Sequence, residues 1–324
     1  MNNALAAEAK PPEARRSSRS HGLMHFLMLI ATFCWAGNII AGKLVLRSMS
    51  SLALAQLRVV GATIFFGILF LGWRGRPALR MARREWGFLA LTAIFGITLN
   101  QLFFIGGIGR TSAAHAGLIV ALGPVMVLIL SCAMRLEALT VVKFVGALIS
   151  FSGVVVLTAG KAAHTNGAHW VGDFILFTGS AVFAYYTILV KEIADRYDAL
   201  TLNTMIFTMG AIFMLPFSAG AVIKVSWIAL PGEAWWGIAF MVVFGSVVAY
   251  LIYAFALAEL TASRVAAFAY LQPVIATALG IWLLAETLTA QIVIGGALIL
   301  LGVYLAERER GEEKPVRSVV DGVS

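Results

Sequence analysis

Charge is what this chain has least of. Only 12% of its 324 residues are Asp, Glu, Lys or Arg, while 60% are hydrophobic and the mean hydropathy is +0.91. Soluble domains carry ~25% charged residues. So few ionic groups cannot cover a surface that faces water, which excludes a soluble globular domain and places the chain in lipid. Cysteine is nearly absent. Cys34 and Cys132 each sit alone in an apolar stretch, so neither a disulfide framework nor a zinc site is available to them; they read as small packing residues. Histidine is sparse as well. His164 and His169 share one connecting segment without a third ligand, and there is no H-E-x-x-H, no G-x-S-x-G and no pair of intramembrane aspartates. An intramembrane enzyme needs such a set of groups. That class is therefore disfavoured, and no catalytic residue, metal or cofactor is expected. Acidic residues are missing from the depth of every apolar stretch; Asp173 lies close to the end of one.

The formal net charge of +8 does not point to nucleic acid, because the cations are dispersed among short connections and two polar tails. They are distributed as membrane topology demands. Ten apolar stretches are read at 23–45, 52–73, 86–107, 112–134, 141–160, 171–191, 200–223, 234–257, 262–284 and 288–306. Each is near the ~20 residues that cross a bilayer as helix. Residues 1–21 and 307–324 are polar and read as tails, the first disordered. Arg15, Arg16 and Arg19, the run from Arg74 to Arg84, and Arg308 to Arg317 fall on one side, whereas the opposite loops hold only Arg47, Arg110, Lys161 and Lys224. The bias places both termini in the cytoplasm.

What is abundant is repetition. Trp86, Gly96, Pro124, Glu137, Leu139, Thr140, Gly146 and Gly153 return 149 residues later as Trp235, Gly245, Pro273, Glu286, Leu288, Thr289, Gly295 and Gly302. Lys43 with Lys191 and Ala36 with Ala184 match at 148, and Gly61 with Gly210 at 149. A fixed offset over such a length marks an internal duplication, with halves at 22–160 and 161–306. Five helices per half is an odd number, so the second half enters the membrane from the other side. The expected fold is all-α and integral to the membrane: ten transmembrane helices as two inverted-topology five-helix repeats.

The matched blocks are specific. The first contains Asn100-Gln101-Leu102-Phe103-Phe104, Thr111-Ser112-Ala113-Ala114, Gly123-Pro124, and Glu137 with Leu139; the second contains Ala249-Tyr250, Leu260-Thr261-Ala262-Ser263, Gln272-Pro273-Val274 and Ala285-Glu286-Thr287-Leu288. Over about 23–306 the chain resembles the drug/metabolite transporter superfamily, specifically its EamA-type members. The resemblance implies an exporter of small metabolites in a bacterial inner membrane. Helices 1–4 and 6–9 would surround a central cavity, with helices 5 and 10 outside it. The partners implied are a small-molecule substrate and membrane lipid, with the chain as monomer or homodimer.

Polar groups within hydrocarbon must be paired or must face a wet cavity. The candidates for the cavity are Trp35, Asn38, Arg58, Asn100, Gln101, His115, Tyr185, Tyr186, Tyr250, Tyr253, Tyr270 and Gln272; for each, helix–helix packing is the competing role. Arg58, about two turns from the outer face, pairs with a helix carbonyl or offers a site to a substrate carboxylate. Lys43 and Lys191 snorkel to the interfaces. Pro124 and Pro273 sit mid-span and read equally as static kinks or as gate hinges. Glu137 and Glu286 fall on opposite faces, as caps of the next helix or as ionic gates. Gly295, Gly296 and Gly302 give the last helix a small-residue face for helix 5 or for another subunit. The function expected is export of amino acids, aromatic ones included, by alternating access. Facilitated diffusion is favoured, since His115, near the outer end of helix 4, is the only plausible titrating group within a span and has no evident acidic partner. A broader drug or metabolite exporter with proton antiport is the alternative.

Overall fold

A computed structural model describes residues 21–73, 83–111, 113–162, 170–275, 278 and 290–308. The tails, apart from His21, Glu307 and Arg308, lie outside the described residues, as do Glu286, His164, His169 and the side chain of His115. Among the described residues every regular element is helical and there is no strand.

The first half comprises α1 (His21–Val45), α2 (Ser51–Trp73), α3 (Arg83–Ala93), α4 (Asn100–Ile108), α5 (Ala113–Val120), α6 (Gly123–Ala133) and α7 (Val141–Ala162). The second comprises α8 (Trp170–Ile193), α9 (Ala199–Ile223), α10 (Gly232–Val242), α11 (Ala249–Glu259), α12 (Ala262–Ala267) and α13 (Ala290–Arg308). Among the described residues six helical stretches are long and apolar enough to cross a membrane: Gly22–Val45, Ser51–Gly72, Glu85–Ile108, Trp170–Ile193, Ala199–Ile223 and Gly232–Glu259. Gly123–Ala133, Val141–Val156 and Val293–Leu305 are shorter apolar helices.

The outside of this bundle suits lipid. Phe26, Phe33 and Ile40 on α1, Ile64 and Ile68 on α2, and Phe174 and Phe177 on α8 are exposed. Trp227, Trp235 and Trp236 are exposed around the α9–α10 connection, as an aromatic belt at a membrane interface would be. Contacts between connections define two ends. At the expected cytoplasmic end Glu85 accepts from Tyr197, and Arg196 approaches it at 3.6 Å. At the other end Lys43 Nζ donates to the carbonyls of Ile108 (3.2 Å) and Thr111 (2.7 Å), while Thr111 donates to Asp173. Lys43 therefore does more than snorkel: it satisfies the end of α4, whose last carbonyls lack intrahelical partners.

Two features carry the duplication into the backbone. The stretches α3–α4 and α10–α11 each run through a π-helical turn, at Ile94–Leu99 and at Val243–Val248. The bounds differ by the same 149 residues, and Gly96 and Gly245 occupy equivalent places. The second feature is the pairing of α7 with α13. A Cβ on Gly153 would lie 2.7 Å from the Gly295 carbonyl oxygen, and one on Gly302 would lie 2.5 Å from that of Gly146. Each contact is the other with the offset exchanged. Ser150 Oγ donates to the Ile299 carbonyl at 3.3 Å, and these two positions are themselves equivalents. Helices in lipid associate through close backbone packing of this kind. Gly295 and Gly302 of the last helix thus pack on α7, whereas a Cβ on Gly296 would meet nothing within 4 Å.

Candidate functional site

The cavity lies where the broken helices meet. The apolar stretch at 112–134 is interrupted at Ala121–Leu122, and α6 begins with Pro124 in its first turn. That position needs no backbone N–H, which is why proline fits there. In the second half α12 gives way to a 3₁₀ turn, Phe268–Tyr270, and helix resumes at 271–275 around the buried Pro273. Val120, Gly123 and Pro124 from one break, and Ala269 and Gln272 from the other, border a cavity of about 100 Å³. Discontinuous helices of this kind can place free backbone groups beside a midplane site. The volume is small against the ~300–1,000 Å³ of ligand pockets, so the walls stand close together in this conformation.

Trp35, Asn38, Arg58, Asn100, Gln101, Tyr250, Tyr253 and Gln272 all border the same cavity. Arg58 from α2 is buried; its Nε donates to Ser246 Oγ (2.7 Å), Nη1 to Gln101 Oε1 (3.2 Å) and Nη2 to the Gly245 carbonyl (2.9 Å). Trp35 Nε1 shares that carbonyl at 3.3 Å. The π turn supplies the acceptor, and glycine at its centre lets side chains approach the backbone. Asn38 is buried against Gly245, its Oδ1 without a hydrogen-bond partner among the described residues. Asn100 Nδ2 donates to Tyr250 Oη at 3.3 Å, and Tyr253 Oη pairs with Thr187 at 2.7 Å. Around Trp35 the rings of Phe183, Tyr250 and Tyr253 stand at 5.2–6.0 Å between centroids, in edge-on arrangements that favour aromatic pairs.

Tyr185, Tyr186 and Tyr270 are not among the residues bordering the cavity. Tyr185 packs edge-on against Phe95 at 4.8 Å. Tyr186 fills the space at Gly96 that a Cβ would need, and Tyr270 is buried with its hydroxyl unpartnered among the described residues. Phe183 and Ser246 were not among the candidates. Phe183 is the 148-offset counterpart of Trp35, so the repeat itself could have nominated it; Ser246 pairs with an isoleucine, Ile97, and carries no such signal.

Glu137 occupies the expected cytoplasmic end. The αL residue Arg135 (φ 60°) turns the chain after α6, and the Leu136 N–H reaches back to the Ser131 carbonyl at 2.9 Å, a C-terminal motif that reverses direction sharply. Glu137 does not cap α7, which follows it. Its Oε1 accepts the Ser263 N–H (3.0 Å), its Oε2 accepts the Ser263 hydroxyl, and Lys143 Nζ lies 2.8 Å away. The helix it caps belongs to the other half. Burial pushes its carboxyl up, but hydrogen bonds from Lys143 and Ser263 outweigh that and hold it below the usual carboxylate value.

The residues described so far form a small cavity between the duplicated halves of an apolar helical bundle. Comparison with known sequences gives the family. The EamA-like transporter family matches residues 22–159 and again 170–307. The chain belongs to this family. It is a multi-pass membrane protein of a transporter family. It is similar to a protein of Archaeoglobus fulgidus named as an uncharacterized transporter, at 31% identity over 88% of this chain and 98% of that one. A probable terminal-alkyne amino-acid exporter of Streptantibioticus cattleyicolor is 24% identical over 87% of this chain and 92% of its own. A solved crystal structure superimposes with a TM-score of 0.71 over 89% of this chain and 97% of its own, at 20% identity; that likeness is one of fold.

Proposed function

We propose that this EamA-family chain exports small metabolites, amino acids foremost and aromatic ones among them, across a bacterial inner membrane. Ten transmembrane helices form two inverted halves with both termini in the cytoplasm, and the halves rock about the central cavity in alternating access. Transport runs down the substrate gradient. One observation carries the reading: the cavity sits between the two broken helices and joins residues of both halves, Trp35 and Arg58 from the first with Phe183 and Tyr250 from the second. Pro124 and Pro273 serve as hinges, and Glu137 and Glu286 as gates on opposite faces. The amino-acid exporter among the relatives supports the substrate class.

The apolar part of the lining, with Phe104, Val120, Val127 and Val265, favours a second reading as a broader drug or metabolite exporter. Counterflow in proteoliposomes separates the two. Exchange of amino acids, unchanged by an imposed pH gradient, is the expected result. Exchange of unrelated apolar drugs, or flux that follows the pH gradient, supports the broader antiporter instead. No flux of either class refutes the transport mechanism.

A further inference from the structure

The two π turns are equivalents, yet their surroundings are opposite in character. At Gly245 stand Asn38, Arg58 and Ser246, with the Gly245 carbonyl receiving Arg58 and Trp35. At Gly96 stands the ring of Tyr186. Moving by the repeat offset turns Asn38 into Tyr186, Arg58 into Phe207 and Ser246 into Ile97. Those three counterparts are fully buried and do not border the cavity. The duplicated scaffold therefore holds one polar notch and one sealed notch.

The polar notch has an unmet need. Arg58 is 2% exposed, and its three hydrogen-bond partners among the described residues, Ser246, Gln101 and Gly245, are all neutral. A guanidinium has five N–H donors in a planar fork that fits a carboxylate with two parallel bonds. A buried cation without a counter-ion is costly and calls for an anion. The rest of the lining offers amide, hydroxyl, aromatic and aliphatic groups, and no Asp or Glu borders the cavity among the described residues. A substrate ammonium would find no ionic partner there.

We propose that the Gly245 notch is a carboxylate-reading site, with Arg58 as its specificity-determining residue and Asn38 beside it. It takes monocarboxylates with an apolar or aromatic body, and the α-amino group is dispensable. The Gly96 notch holds no substrate. The inference rests on the reading of the central cavity as the substrate site, and it predicts more than that reading does: acids without an amino group compete with amino acids.

Binding to the purified full-length protein in nanodiscs, followed by tryptophan fluorescence, tests this without requiring flux. The probes are phenylalanine, 3-phenylpropionate, phenylalaninamide and phenethylamine. The two acids are expected to bind alike, and the two carboxylate-free probes about tenfold or more weaker, since a site built around buried polar groups rejects analogues that leave them unpaired. Arg58→Gln is expected to abolish the preference, whereas Tyr186→Phe at the sealed notch leaves it intact. Equal binding of acid and amide, failure of 3-phenylpropionate where phenylalanine binds, or absence of all binding overturns the proposal in the wild-type protein alone, whatever the folding of the variants. Acid binding without counterflow would sink the export reading and leave this one standing; counterflow with equal binding of amide would do the reverse.

Discussion

Breaking the contact that Glu137 makes across the two halves is expected to open the cytoplasmic mouth. Glu137 and Lys143 keep only 5% and 3% of their side-chain surface exposed. The range of 0–1 kcal/mol for surface ion pairs does not apply at that burial. Removing one partner of a buried pair costs about 3–5 kcal/mol, because the other charge is left uncompensated. Glu137→Gln keeps an acceptor for Ser263 and strands the Lys143 ammonium. If opening rehydrates Lys143, that cost falls on the closed state alone. A difference of 3 kcal/mol then shifts the closed-to-open ratio by about 150-fold. The assay is the labelling rate of Ala266→Cys, a cavity position one turn from Ser263, in a background of Cys34→Ala and Cys132→Ala. An impermeant thiol reagent is applied from the cytoplasmic side. Glu137→Gln should raise the rate at least tenfold, and adding Lys143→Met should reverse most of the rise, since it removes the stranded charge. An unchanged rate in a folded protein refutes the reasoning. So does a loss of thermal stability that appears with no change in labelling.

Three further outcomes are expected. Because the Glu137 carboxyl is held below its ordinary value, the closure it provides is fully present above about pH 4.3 and is lost only as pH falls through the lower folded-state value; labelling of the Ala266→Cys protein, divided at each pH by the rate of a free thiol standard because only the thiolate reacts, should be flat from pH 8 to pH 5, and a rise of that ratio near pH 6 would contradict the assignment. Gly302→Ala forces a methyl toward the Gly146 carbonyl and Ser150, and overpacking of this kind should cost about 1–3 kcal/mol in detergent unfolding. Gly67→Ala, on α2 with nothing within 4 Å of its added Cβ, should instead stabilise by about 0.5–1 kcal/mol; equal effects at the two glycines would remove the α7–α13 argument. Arg135→Gly relieves the only positive φ at a non-glycine among the described residues and should raise stability by up to about 1 kcal/mol, read as a higher Tm.

The helical class, the lipid-facing surface and the duplication were legible because they are written in composition and in residue identity at a fixed spacing. Matched glycines at 96 and 245 mark equivalent places in the two halves, and the structure puts a π turn at each. Nothing in hydropathy distinguishes a π turn from α helix, since both keep an apolar face, so the carbonyl that Gly245 offers to Arg58 was invisible. The partner of Glu137 was invisible for a different reason. Lys143 has Ile292 as its repeat counterpart and Ser263 has Ala114, so the feature that joins the halves is one that the halves do not share. Tyr186 does not border the cavity in this conformation: a hydroxyl in a span suggests water, but its ring fills the room left at Gly96.

The crossing of α7 and α13 has a symmetry of its own. Its contacts are reciprocal, Gly153 on Gly295 and Gly302 on Gly146, with Ser150 on its own counterpart. A patch that meets itself in this manner is the mark of an isologous interface between identical subunits. In this chain the self-meeting patch is an intramolecular seam, so a bulkier residue at either glycine of the pair Gly153 and Gly302 meets the same backbone obstacle from opposite sides.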